Sequence, residues 1–210
     1  YGDEVSRIPY VSTEHQISTL AALLMQLTNT DVASEEYEQL KNNIILTADY
    51  IYKNCYDSET GTVFRGVKGD DDAQVSDVYS WLMLVLFVFE DMYPPTGNPD
   101  SPSIYEQTQF YKSGIGLEEY SQMADYVEKT FGTEKGLYRY GAEEGPTSFG
   151  WSLFMSAVYY SMAYRDSVNG GEVDNSEFYL SKARSIVQTV LEEADRLGFD
   201  NGIIPSADMN

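Results

Sequence analysis

Ser58-Glu59-Thr60-Gly61-Thr62-Val63-Phe64-Arg65 is a glycine turn that runs into a short strand-like piece, and Thr133-Glu134-Lys135-Gly136-Leu137-Tyr138-Arg139-Tyr140 repeats it. Each copy follows the end of a helical pattern: Ala48-Asp49-Tyr50-Ile51 before the first, Ala124-Asp125-Tyr126-Val127 before the second. A third turn, Phe199-Asp200-Asn201-Gly202, leads into Ile203-Ile204. Helix end, turn and strand recur in one order, which is the signature of a repeated supersecondary unit.

Working outward, the helices fall into two kinds. Thr13-Glu14-His15-Gln16 reads as a capping box with Thr13 as N-cap, followed by Ile17, Leu20, Ala21, Leu24 and Leu27 at helical spacing. A second helix runs from Ser34 to about Asn54, with Glu35 and Glu36 at the positive end of its dipole. A third, from about Ser76 to Met92, is apolar on every side through Trp81-Leu82-Met83-Leu84-Val85-Leu86-Phe87-Val88-Phe89, so other helices must surround it. Pro94, Pro95, Pro99 and Pro102 mark a long loop, and an outer helix follows near Leu117. A mostly apolar helix then spans about Ser148 to Tyr164, and an amphipathic one Ser176 to Arg196.

The pattern predicts an all-α domain over residues 1–210: repeated helical hairpins joined by short β-like turns. Helices from Thr13, Ser76 and Ser148 lie inside; those from Ser34, Leu117 and Ser176 lie outside. The strand-like pieces after Gly61 and Gly136 are expected at one common end. Trp81, Leu84, Leu86, Val88, Trp151, Phe154 and Val158 are expected in the core.

Composition narrows the partners. The chain of 210 residues carries 34 acidic against 13 basic residues, a net charge of -21. Such a surface repels nucleic-acid backbones and anionic lipid, so neither is an expected partner. The longest apolar run, Trp81 to Phe89, is too short to insert across a bilayer. The single cysteine, Cys55, excludes an internal disulfide and reads as a buried structural thiol.

Val11-Ser12-Thr13-Glu14-His15-Gln16 resembles the Ser-Thr-Glu-His segment of bacterial six-hairpin glycosidase-like proteins. It is more loosely similar to a Ser-Glu-Gly segment of family 8 glycoside hydrolases, whose glutamate is the general acid. Asp77-Val78-Tyr79-Ser80-Trp81 resembles the next inner-helix start of the same (α/α) toroids. The resemblance implies a half or incomplete (α/α)6 toroid, with three inner and three outer helices where a full toroid has six hairpins. It also implies a carbohydrate-active protein, secreted or at the cell surface, with a neighbouring domain or further chain.

Glycoside hydrolysis needs two carboxyls flanking the scissile bond. Glu14 is the candidate general acid and Asp77 the candidate base or sugar-binding carboxylate. A helix N-terminus favours carboxylate, so Glu14 needs burial against Trp81 or Tyr10 to hold a proton, and both acids also simply suit a helix start. Candidate substrate-binding residues are His15, Tyr10, Trp81, Phe64, Tyr138 and Trp151, with Tyr140 beside them. Aromatic faces stack on sugar rings, although both tryptophans equally suit a core. The third inner-helix start, Thr147-Ser148-Phe149-Gly150-Trp151, carries no acid. Asp70-Asp71-Asp72 lacks the glycine and distal glutamate of an EF-hand loop and reads as a solvated acidic loop. No metal and no cofactor is expected, and the expected partner is an oligo- or polysaccharide. A non-catalytic module holding glycan or protein in the same groove is the alternative.

Overall fold

A computed structural model describes residues 11–69, 73–142, 146–169 and 174–198. The elements are α1 (Thr13–Thr28), α2 (Glu35–Cys55), β1 (Tyr56–Asp57), β2 (Thr62–Val63), α3 (Ser76–Met92), α4 (Gln109–Lys112), α5 (Leu117–Phe131), β3 (Tyr138–Arg139), β4 (Thr147–Ser148), α6 (Phe149–Asn169) and α7 (Ser176–Arg196). The inner row is α1 against α3 and α3 against α6, and each inner helix carries its outer partner: α2 on α1, α5 on α3, α7 on α6. This is the fold of a partial (α/α) toroid.

The helices form where their apolar spacing places them. Leu40, Ile44, Ala48, Ile51 and Cys55 give α2 one buried stripe, and Tyr120, Met123, Ala124, Val127 and Phe131 do the same for α5. Ser34 caps α2, its hydroxyl accepting the Tyr37 N–H at 3.1 Å. Cys55 is fully buried with a free thiol. The turn glycines Gly61 and Gly136 sit at φ 70° and 75°, a backbone that side chains other than glycine rarely adopt. β1 and β2 pair Tyr56 with Val63, and Gly132 bridges Tyr138 at the matching place in the second unit. β3 goes on to pair with β4, Tyr138 opposite Ser148.

Two local expectations change. The cap of α1 is Ser12, with no side-chain bond, and Thr13 is the first helical residue. Thr13 is drawn off by tertiary structure, since its Oγ1 donates to the Gly66 carbonyl at 3.2 Å. The proline-marked loop contains a 3-10 turn at Tyr105–Gln107 and α4. Glu106 organises that loop: the Thr96 and Ser103 N–H groups, then the Thr96 hydroxyl and the Gly97 N–H, donate to its carboxylate and hold its pKa down to about 2.

The core also differs. Leu86 and Val158 are buried, but Trp81, Leu84 and Trp151 are half-buried, and Val88 and Phe154 are 50% and 36% exposed. The reason is geometric. Helix α3 is enclosed by α1, α5 and α6 on three sides, and its remaining side, which carries Val88, is left open among the described residues. Lower down, Arg165 clamps α6 to the end of α3. Its guanidinium donates to Glu90, Asp91 and the Phe87 carbonyl at 2.7–2.8 Å and lies 4.7 Å over the Phe87 ring. The sequence pieces Asp70–Asp72 and Phe199–Ile204 lie outside the described residues.

Candidate functional site

The loop that closes each unit folds back over the start of its own inner helix. The Thr13 N–H donates to the Arg65 carbonyl at 2.9 Å, and the Ser76 N–H donates to the Tyr140 carbonyl at 2.9 Å. Val75 also bridges Gly141. Both strand-like pieces therefore lie at one end, the end where the inner helices begin. Arg65 is delivered to the start of α1 and Tyr140 to the start of α3, and the acid that follows the first helical residue is Glu14 in one and Asp77 in the other.

Asp77 is 7% exposed. Burial pushes its carboxyl up to about 6; the Glu14 charge pushes the same way, while the bond from the Val78 N–H to its Oδ1, at 2.9 Å, opposes them. The Tyr140 hydroxyl is also raised, by burial first and then by Asp77 and Glu14, with the Arg65 guanidinium opposing. Tyr140 thus lies within electrostatic reach of Asp77, Arg65 and Glu14, and Asp77 within reach of Glu14. The Tyr140 ring, 41% exposed, packs on Trp151 with centroids 4.7 Å apart and planes at 34°. One carboxyl that keeps its proton into the mildly acidic range, a second acid, a cation and an accessible ring can donate a proton, accept one, and seat a sugar face.

The remaining sequence candidates separate. His15 is exposed at the start of α1. Trp81 sits one turn below Asp77, edge-on to Phe154 with centroids 5.9 Å apart. Phe64 is buried, with the Lys68 ammonium 6.0 Å over its ring, so it offers no free face. Tyr138 is buried as well: burial pushes its hydroxyl up to about 12 and the Glu128 charge adds to that, while a bond with the Tyr159 hydroxyl opposes them. Both are corrections to the expected aromatic platform: these two rings are used in packing. Tyr10 lies outside the described residues. Arg65 was not anticipated, and the signal for it was its place in the repeat, since it occupies in the first unit the position of Tyr140 in the second. Among the described residues no group of three His, Cys, Asp or Glu side chains is placed to hold a metal ion, and no helix is long and apolar enough to cross a membrane.

No protein-family profile matches this chain, and no curated protein does. Solved structures do. The unsaturated glucuronyl hydrolase of Bacillus sp. GL1, responsible for degradation of glycosaminoglycan, superposes with a TM-score of 0.57 at 13% identity, over 91% of this chain and 49% of that one. A UGL variant with dGlcA-Glc-Rha-Glc gives the same values. A D-mannose isomerase matches with a TM-score of 0.53 at 10% identity, over 90% and 47% of the two chains. A reducing-end-xylose releasing exo-oligoxylanase matches at 0.51 and 11%, over 85% and 43%. The chain spans about half the length of these solved chains, and what it shares with them is the six-hairpin glycosidase-like fold.

Proposed function

We propose that the inner-helix N-terminal end binds an oligosaccharide and hydrolyses a glycosidic bond by acid/base catalysis. The observation that carries this reading is the Glu14–Asp77 pair, with Asp77 held up to about 6 by burial beside the accessible Tyr140 ring. The assignment of roles is the reverse of the one expected from sequence. Asp77 is the group that holds a proton into the mildly acidic range, so it is the general acid, and Glu14 is the base. Asp77 protonates the glycosidic oxygen as its bond to the anomeric carbon breaks and the bonding pair moves to that oxygen. Water adds to the same carbon and gives its proton to Glu14. Tyr140, backed by Trp151, stacks on the apolar face of a sugar ring, and a neutral ligand is not repelled by a net charge of -21.

Matched structures of this fold include proteins named as acting on glycosaminoglycan and xylo-oligosaccharide, which supports a glycan substrate. The test is a panel of soluble oligosaccharides with wild type, Glu14→Gln and Asp77→Asn, following binding and product release separately. Hydrolysis by wild type, lost in both variants with binding retained, is the expected result. Binding without turnover in wild type would replace the enzyme with a non-catalytic glycan-binding module. Neither binding nor turnover across the panel would remove the carbohydrate reading.

A further inference from the structure

Outside the Glu14–Asp77 site, a cavity of about 560 Å³ opens between the last turns of α2, the β1–β2 turn and the start of α4. Asp49, Tyr52 and Lys53 line it from one face of α2. Asp57, Glu59 and Lys68 form its rim, and Gln109 closes it from α4. Its walls are tied together. The Gln109 N–H donates to Asp49 Oδ1 at 2.7 Å, which joins α4 to α2. Lys68 Nζ donates to Asp57 Oδ2 at 2.9 Å and the Lys68 N–H to the Asn54 carbonyl at 2.7 Å, which fixes the rim to the end of α2. An aromatic wall stands behind them: Tyr52 is edge-on to Phe110 with centroids 5.2 Å apart, and its ring lies 5.7 Å from that of Tyr56. Phe110 and Tyr56 are buried, whereas Tyr52 is half-buried and borders the cavity. Lys53 and Glu59 are exposed, and neither has an ion-pair partner among the described residues.

We infer that this cavity is a second glycan-binding site, which seats a neutral sugar unit against Tyr52, Lys53, Glu59 and Gln109. Its volume falls in the range of small-ligand pockets, about 300–1,000 Å³. The carboxylates of Asp49, Asp57 and Glu59 stand against the ammonium groups of Lys53 and Lys68, so a phosphate or sulfate gains no net attraction there. An apolar ligand would take those charges out of water without giving them partners. A sugar hydroxyl serves both signs, donating to a carboxylate and accepting from an ammonium or amide. Tyr52 offers ring surface to the C–H face of the same sugar. The chain that forms the rim, residues 57–68, also delivers Arg65 to the start of α1, so one loop borders both sites. The cavity anchors a long glycan while the Glu14–Asp77 end acts on it. That role rests on the proposed hydrolysis; binding in the cavity does not.

The experiment is acetylation of lysines by an N-hydroxysuccinimide ester, mapped by peptide mass, with and without xylohexaose, cellohexaose or mannohexaose. It is run on wild type, on Asp77→Asn and on Ser58→Trp, which fills the cavity from an exposed turn position. Far-UV circular dichroism confirms that each variant folds. Gln109→Ala, at an exposed position that keeps its backbone bond to Asp49, carries the test if Ser58→Trp does not fold. The expected result is acetylation of Lys53 slowed about tenfold by at least one hexasaccharide at about ten times its Kd, in wild type and Asp77→Asn alike. Lys129, exposed on α5, should be unchanged, and Ser58→Trp should lose the protection. Hydrolysis without protection of Lys53 overturns the second site and leaves the proposed function standing. Protection without hydrolysis upholds the site and removes the proposed catalysis; neither one overturns both. Protection that persists in Ser58→Trp overturns the site as well, since Lys53 is then shielded from outside the cavity. Protection by free glycine or lysine, with none by any hexasaccharide, also overturns it and gives the cavity to an amino-acid ligand.

Discussion

Helices α1 and α3 begin alike and differ in chemistry. Each opens on a hydroxyl residue and then an acid, Thr13-Glu14 and Ser76-Asp77, and each has its first N–H held by the carbonyl of a returning loop. Yet Asp77 is buried and holds its proton up to about 6, while Glu14 is only half-buried. The difference follows from place in the arc. Helix α3 has an inner neighbour on both sides, α1 and α6, and α1 has one. The α3 start is therefore walled by Tyr140 and its neighbours, and burial acts on whichever acid stands there. Position within the repeat, more than residue type, separates a proton donor from a proton acceptor.

The largest expected effect tests that separation directly. Asp77→Asn should lower kcat by about 10²–10⁴-fold on natural oligosaccharides, the range for losing a general acid. The loss should shrink on nitrophenyl glycosides, whose leaving group needs no proton. Glu14→Gln should lose activity to a similar degree on both substrate types, since water still has to be deprotonated. The opposite pattern in paired kcat measurements would exchange the two roles and break the comparison.

The enclosure of α3 can be measured next. Leu86 is fully buried and Leu84, two residues earlier, is half-buried on the open side. Leu86→Ala should cost about 2–5 kcal/mol in urea unfolding. Leu84→Ala should cost less than half of that, because part of its surface already meets solvent. Equal losses would mean that the open side is covered in solution.

Much of this was legible before the coordinates. The two glycine turns, the helix starts and the equivalence of Glu14 with Asp77 are all periodic features, and periodicity is what a repeat writes into sequence. The apolar run of α3 was legible as a helix, but its open side was not, because an enclosed helix and one that lines a trough have the same composition. Tyr138 and Tyr140 were read together as strand neighbours. The strand ends at Arg139, so one ring turns into the α5–α6 packing and the other reaches the α3 start. Arg65 was legible only as the repeat equivalent of Tyr140: its role comes from a loop crossing back over α1, a contact that no local pattern encodes.

A smaller effect is the pH dependence of stability. Folded Asp77 binds its proton up to about 6, and the ordinary value is 3.8. Between those values the folded chain carries more proton than the unfolded one, so the contribution of this group to stability falls as pH rises through that window, by up to about 3 kcal/mol. Asp77→Asn should flatten that part of the profile and raise the unfolding midpoint at pH 7, even as it removes activity. A variant as steep as wild type between pH 4 and 6 would place the slope on another group.

The finest comparison uses the two hydroxyls that open these helices. Thr13 Oγ1 donates to the Gly66 carbonyl at 3.2 Å; burial raises the neighbouring Cys55 thiol, and the Thr13 side chain partly opposes that. Ser76 Oγ is fully buried without a hydrogen-bond partner among the described residues. The residues stand at equivalent places, so their removal should have unequal consequences. Thr13→Val keeps the shape and leaves a buried carbonyl without this donor, which should cost about 1–2 kcal/mol. Ser76→Ala removes a hydroxyl that was desolvated without return, so the change should lie within about 0.5 kcal/mol of zero or be stabilising. Thermal unfolding of the two variants side by side reads the difference. If Ser76→Ala costs as much as Thr13→Val, the Ser76 hydroxyl has a partner in solution, and the two helix starts are more alike than their geometry indicates.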